Sequence, residues 1–446
     1  MSTTFRRARW TFLLPILAIA CGSSGSSNNG GGSSGSGGGS SSSGGGSGGG
    51  SSSSSGGTSS SSGSTSSSSG SNSSSGSSSE DGGGDNVVPL AVNAGPAGTD
   101  SVDVPFIDVT LCIPGTTTCQ TIQYVSVDTG SSGMRVLASA LTVSLPQQNA
   151  TTGAPLTECF TFEDGYVWGS VRTADLRIGG ELAAKIPIEV IGDPAYTTVP
   201  SDCASTGSAE DTLDAFGSNG IIGINQIVAD CGSDCTTATA AGYYSCASAS
   251  TCTSVGVALA AQISNPIPSF ATDNNGAILQ LPSVAAAGDA TTTGSLIFGI
   301  GTQANNGLGS AAVLTTDDEG NISTIFNGAT LSESYIDSGT NYLAFDDTSI
   351  TQCPSSGDES GFFCPTATVS LSAQNKGLNG TTSTVDFSIA NATTLFGTND
   401  TAFSDLGGTG DANSFAWGLP FFLGRSVYVA VAGASTPGGA GPYFAY

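Results

Sequence analysis

Two short strings, with Asp128 and Asp337 placed 209 residues apart, set the tightest limit on what this chain can become. They are Val127-Asp128-Thr129-Gly130-Ser131-Ser132-Gly133 and Ile336-Asp337-Ser338-Gly339-Thr340. Each puts a carboxylate on a glycine turn directly after a run of β-formers, YVSV at 124–127 and SYI at 334–336. Glycine lets the backbone fold back, so the acid projects at a strand end. Two acids delivered in this way can meet and share one proton, one acting as base on a water and the other as acid on a carbonyl oxygen.

The chain contains no histidine. Without an imidazole there is no Ser-His or Cys-His pair, so the serines around Asp128 are poor nucleophiles. A zinc site at Cys231-x-x-x-Cys235 is disfavoured for the same reason, and neither metal nor cofactor is expected.

The N-terminus reads as an export signal over 1–21: Arg6, Arg7 and Arg9, an apolar run from Trp10 to Ala20, then Cys21. The run is too short to span a bilayer. Leu17-Ala18-Ile19-Ala20-Cys21 resembles a bacterial lipobox, which implies lipidation at Cys21 and anchoring to the cell envelope, with Gly22 pointing to the outer membrane. Residues 22–85 are dominated by Ser and Gly and are expected to remain a disordered tether. Its 22–79 portion, taken as a flexible coil, reaches about 40 to 45 Å.

Ten cysteines follow the tether: Cys112, Cys119, Cys159, Cys203, Cys231, Cys235, Cys246, Cys252, Cys353 and Cys364. An even set behind an export signal reads as disulfides. Spacing favours Cys112–Cys119, Cys353–Cys364 and Cys159–Cys203, and leaves the pairing within 231–252 open. With nine basic residues against 35 acidic ones the formal charge is −26, which argues against nucleic acid and anionic lipid as partners. The only membrane contact expected is through the N-terminal lipid.

From residue 86 onward short β-rich runs alternate with Gly, Pro, Asn and Asp, so the fold class is all-β. Strands are predicted over 104–113 and 121–127, the second delivering Asp128, and over 323–326 and 331–336, the second delivering Asp337. The globular length exceeds what one core usually serves. Two β lobes are therefore predicted, 86–300 and 301–446, each supplying one acid, with the crossover at Gly294-Ser295-Leu296-Ile297-Phe298-Gly299.

These motifs resemble those of the pepsin-like aspartic peptidases, and the chain has a suspected closer kinship with bacterial lipoproteins known only as a domain of unknown function. The two hydrophobic-Asp-[Thr/Ser]-Gly strings match, as do two hydrophobic-hydrophobic-Gly segments ending at Gly223, in GIIGIN, and Gly418, in AWGLPFFLGR, in the family's order. The resemblance implies a bilobal, disulfide-stabilised all-β fold with an interlobe cleft. It implies an aspartic endopeptidase, probed by an extended peptide or protein substrate, with Asp128 and Asp337 as the catalytic pair. Ser131 and Thr340 would hydrogen-bond the outer carboxylate oxygens, Thr129 and Ser338 would tie the turns together, and Gly130 and Gly339 would keep them flat. A hairpin over 160–169 occupies the place of the family's flap, offering Phe162, Gly165, Tyr166 and Trp168 to substrate. Phe162 stands where the family has tyrosine, and Arg135 where it often has tryptophan. The alternative implied by these departures is a catalytically silent binding lipoprotein on the same fold. A monomer is expected.

Overall fold

A computed structural model describes residues 86–446 apart from Ala240 and Asp358. The export signal, Cys21 and the 22–85 tether of the sequence reading lie outside the described residues. Within them the protein is all-β: no described α-helix exceeds five residues, and the strands form a sixteen-stranded sheet, a seven-stranded sheet and one small ribbon.

Hydrophobic alternation builds the strands, and its interruptions aim them. In Cys119–Asp128 the inward positions are Ile122, Val125 and Val127. Strict period-two alternation from Ile122 would instead bury Tyr124 and Ser126. A bulge corrects this. Ile107 pairs with Val125 and Val109 with Ile122, so two residues oppose Asp108 alone, and Tyr124 takes φ 54° there. Beyond the bulge Val125 and Val127 enter the core, and Ser126 and Asp128 face the cleft described below.

The expected strands are present as Pro105–Cys112, Cys119–Asp128, Ile322–Phe326 and Ala329–Ile336. The crossover differs. Thr292–Phe298 lies inside the large sheet, paired with Val87–Val92 and Gly276–Gln280. The chain stays there through Val313–Thr315 before Ile322–Phe326 opens the second sheet. It then returns, because Ser426–Ala430 and Tyr443–Ala445 also join the large sheet. The strand at 292–298 is paired on both sides within the sheet, and its apolar end, Leu296, Ile297 and Phe298, is buried there.

Each sheet contains the same four-strand arrangement. In the large one, Cys119–Asp128 runs parallel to Gly220–Ile224, which is antiparallel to Ser132–Leu137, which is parallel to Glu181–Ile191. In the second, Ala329–Ile336 runs parallel to Phe415–Trp417, which is antiparallel to Leu343–Phe345, which is parallel to Gly407–Thr409. Both acid-bearing strands thus sit beside the strand that leads into or contains a glycine segment. One continuous core includes Val127, Ile222, Ile336 and Trp417. Around Trp417 it is aromatic, with Phe415 stacked at 4.1 Å and Phe345 stacked on Phe415 at 4.8 Å.

Five disulfides are formed: Cys112–Cys119, Cys159–Cys203, Cys231–Cys235, Cys246–Cys252 and Cys353–Cys364. The four cysteines whose pairing spacing left open therefore close two short loops, and Cys231 and Cys235 are bonded to each other.

Candidate functional site

The two acid turns meet where the sheets meet. Asp128 is 5 % exposed and Asp337 9 %, and each carboxylate is held first by its own turn. Gly130 N–H donates to Asp128 Oδ1 at 2.7 Å and the Ser131 hydroxyl donates to Oδ2. Likewise Gly339 N–H donates to Asp337 Oδ1 and the Thr340 hydroxyl to Oδ2, both at 2.8 Å. Thr129 Oγ1 donates to the Ile336 carbonyl at 3.1 Å and accepts from Ser338 N–H at 2.9 Å. Ser338 Oγ donates to the Val127 carbonyl at 2.7 Å. The six residues expected to support the acids are all at the pair.

The glycines are required by proximity. A methyl group on Gly130 would lie 2.7 Å from Asp337 Cγ, and one on Gly339 would lie 2.6 Å from Asp128 Oδ1. Each carboxylate therefore rests against the other turn. Gly223 and Gly418 serve the layer behind: a Cβ on the first would meet Ser131 at 2.5 Å, and one on the second the Tyr342 carbonyl at 2.1 Å. Asp128 is in register with Gly223, and Asp337 N–H donates to the Trp417 carbonyl at 3.0 Å. Asp337 is pushed well above the usual carboxylate range, first by burial, then by the charge of Asp128 and a hydrogen bond with it. Such a pair holds a proton between its members.

A cleft of about 230 Å³ opens over the pair. Asp128, Asp337, Gly339 and Thr340 line its floor, and Phe162, Glu163, Asp164, Glu210 and Phe216 line the hairpin side. The hairpin is built from Leu156–Thr161 and Gly165–Ile178. Of the residues offered to substrate, Phe162 reaches the cleft, packed against Phe160 and Phe216. Tyr166 and Trp168 do not. They are buried with Tyr244 and the Cys159–Cys203 bond, and Trp168 Nε1 donates to the Tyr196 carbonyl at 2.7 Å. Gly165 lies against the Ser208 carbonyl, which a Cβ would approach to 2.5 Å.

Sequence reasoning missed two features. The first is the acidity of the hairpin tip. Burial and then the neighbouring Asp164 carboxylate push Glu210 up to about 9, and Asp164 and Glu163 are also raised, chiefly by the surrounding protein, although solvent still reaches both. The second is Arg135, a fully buried cation with Glu158, Glu189 and Asp230 around it. Among the described residues no group of three or more His, Cys, Asp or Glu is arranged to hold a metal ion. Arg425 donates to the Phe421 carbonyl at 2.6 Å and lies over that ring.

Comparison with known proteins corrects the family assignment. No curated protein matches the chain. The family model that does match spans residues 82–446 and is described as "Protein of unknown function (DUF3443)". Nothing in that match indicates a pepsin-like aspartic peptidase, so the placement made from the two Asp-Gly motifs is overturned. Such motifs are a handful of residues, and their resemblance does not extend to a family-level match over the intervening chain. The chain belongs to the family described as "Protein of unknown function (DUF3443)".

Proposed function

We propose that this protein is a peptide hydrolase in which Asp128 and Asp337 activate a water between them. The observation that carries the reading is the reciprocal seating of the two acids: each accepts from the amide and hydroxyl of its own turn, and each rests against the other turn's glycine. The arrangement leaves two adjacent carboxyl groups with one shared proton facing an open cleft. One takes a proton from water as it attacks the peptide carbonyl, while the other gives its proton to the carbonyl oxygen. The two sheets each supply one acid, Asp128 from the end of Cys119–Asp128 and Asp337 from the end of Ala329–Ile336. A substrate is held extended along the cleft, under the hairpin, as an added strand. The enzyme works as a monomer, without cofactor or nucleic acid, exported and lipid-anchored through Cys21 at the outer membrane.

Digestion of a broad peptide library between about pH 3 and 7, where coupled carboxyls titrate, tests this reading. Cleavage is expected to be strongest under acidic conditions and to fall as pH rises through the raised value of Asp337, because the acid then loses its proton. Asp128→Asn and Asp337→Asn should each lower turnover by about 10²- to 10⁴-fold. No cleavage by the wild type, or equal cleavage by all three proteins, would favour a silent binding module. For the anchor, Cys21→Ser should leave the membrane fraction or persist as an uncleaved precursor, and unchanged fractionation and migration would reject lipidation.

A further inference from the structure

The hairpin over the dyad is held on its outer side by the Cys159–Cys203 bond and by the pairing of Gly165 and Tyr166 with Ser208 and Ala209, and on its inner side by a buried cation. Phe160 stands on its first strand, two residues before the cleft-lining Phe162, and the two rings meet edge to face at 4.8 Å. The Arg135 guanidinium carbon lies 3.6 Å from the centroid of the Phe160 ring. Arg135 belongs to Ser132–Leu137, the strand that follows the first acid turn, and its Nη1 donates to the Ser132 carbonyl at 2.7 Å. Ser132 is adjacent to Ser131, which holds Asp128. A short chain of contacts thus runs from the Asp128 turn through Arg135 and Phe160 to the ring that faces substrate.

The guanidinium is fixed from the other sides by carboxyl groups on separate elements. Nη2 is 2.7 Å from Asp230 Oδ2 and 3.3 Å from Glu158 Oε1, and Nε is 3.1 Å from Glu189 Oε2. Glu158 lies on the hairpin, Glu189 on Glu181–Ile191 and Asp230 on the loop after Gly220–Ile224. Tyr243, on the strand beside the hairpin, donates its hydroxyl to Asp230 at 2.8 Å and accepts from Ile263 N–H at 2.8 Å. A planar fork suits this task because it can contact several acids at its edge and keep its face for a ring.

We propose that Arg135 is a positioning residue that clasps the hairpin above the dyad by presenting a fixed guanidinium face to Phe160. The inference rests on the peptidase reading for its effect on catalysis, but the clasp itself is a statement about the hairpin. One cation among three acids also makes the clasp pH-sensitive. Burial, then the charge of Glu158, push Glu189 and Asp230 well above the usual carboxylate range. Burial works against the charge on Arg135, and Glu158, Asp230 and Glu189 outweigh it. As pH rises, Glu189 and Asp230 ionise beside Glu158 and the acids repel one another, which loosens the hairpin strand that carries Glu158.

The test uses the whole chain and two variants. Arg135→Lys keeps a charge but loses the fork, and Phe160→Leu removes the ring from a half-buried position while leaving the ion cluster intact. Amide hydrogen exchange should show residues 158–166 exchanging about tenfold or more faster in both, a change read against unaltered protection at 124–131. Against peptides, both should raise KM and lower kcat by about 10- to 100-fold, as misplacement remote from the chemistry does, with the alkaline limb of the pH profile shifted in Arg135→Lys. If Arg135→Lys fails to fold, Phe160→Leu alone decides. Unchanged exchange at 158–166 in the variants that fold overturns the clasp. Absence of cleavage by the wild type refutes the peptidase reading, while the exchange result still decides for or against the clasp.

Discussion

Gly130 and Gly339 are the positions where a single added carbon atom would displace the two carboxylates. Neither is needed for a left-handed backbone; both are needed because a Cβ would sit within 2.7 Å of the opposite acid. Under the proposed chemistry Gly130→Ala and Gly339→Ala are therefore expected to lower peptide cleavage by about 100-fold or more, the scale set by small misplacements of reacting groups. Circular dichroism should find the fold intact in both. Full activity in either variant would mean that the carboxylates need no such contact. At this scale the two acids were legible because each stands on a glycine turn directly after a run of β-formers, whereas the parts played by Thr129, Ser131, Ser338 and Thr340 were implied only by the resemblance of the motifs. Arg135 was not legible. Its partners Glu158, Glu189 and Asp230 are scattered over the chain, and nothing in a local pattern signals that four charged residues will be buried together. Tyr166 and Trp168 misled for the opposite reason: an aromatic residue beside a cleft hairpin fits a disulfide cluster equally well.

Among the elements, the hairpin is the one most dependent on covalent support. The Cys159–Cys203 bond ties its first strand to a segment 44 residues away, whereas Cys231–Cys235 closes a loop of only four. Chain-entropy reasoning gives about 4 kcal/mol for the first and about 2 for the second. Denaturant unfolding of paired Cys→Ala variants should place the loss of stability in that order, and equal losses would show that strain or residual structure governs instead. Mass spectrometry of the unreduced protein should recover all five pairs. Strand existence was readable from alternation, and strand aim was not. The bulge opposite Asp108 that turns Asp128 toward the cleft consists of one extra residue in the pairing, and the sequence around Tyr124 has no glycine to announce it. The crossover was misplaced because the short apolar run Leu296-Ile297-Phe298 signals burial, and the interior of a sheet satisfies that as well as a bridge between lobes does.

The whole molecule should be most stable in mild acid. Glu210 is raised from its ordinary 4.5 to about 9 by burial and Asp164, and Asp405 from 3.8 to about 6 by burial. Asp103, Glu189, Asp230 and Asp337 are displaced in the same direction, all chiefly by burial. An acid raised in the folded state binds more protons folded than unfolded, so stability falls as pH climbs from the unfolded value through the folded one. Asp193 acts oppositely. Burial raises it, but hydrogen bonds from Ser170, Ala195 and Arg172 outweigh that and hold it low, so its contribution is lost as pH falls. Calorimetry at constant ionic strength should find the highest Tm near about pH 4 to 5 and a decline toward pH 9; a steady rise over that interval would refute the assignment. The all-β class was readable at this scale from composition and spacing, while the sharing of one sheet by distant parts of the chain was not, since pairing partners leave no local trace. That sharing has a consequence for biosynthesis. The large sheet takes in Ser426–Ala430 and Tyr443–Ala445, and the glycine segment behind Asp337 includes Trp417. A ribosome reaches these residues after every other part of the site has been made, so a nascent chain holding both acids still lacks the strands that align them. Under the proposed chemistry the order of synthesis leaves the two acids unaligned, and the hydrolase silent, until these late strands have been made and paired.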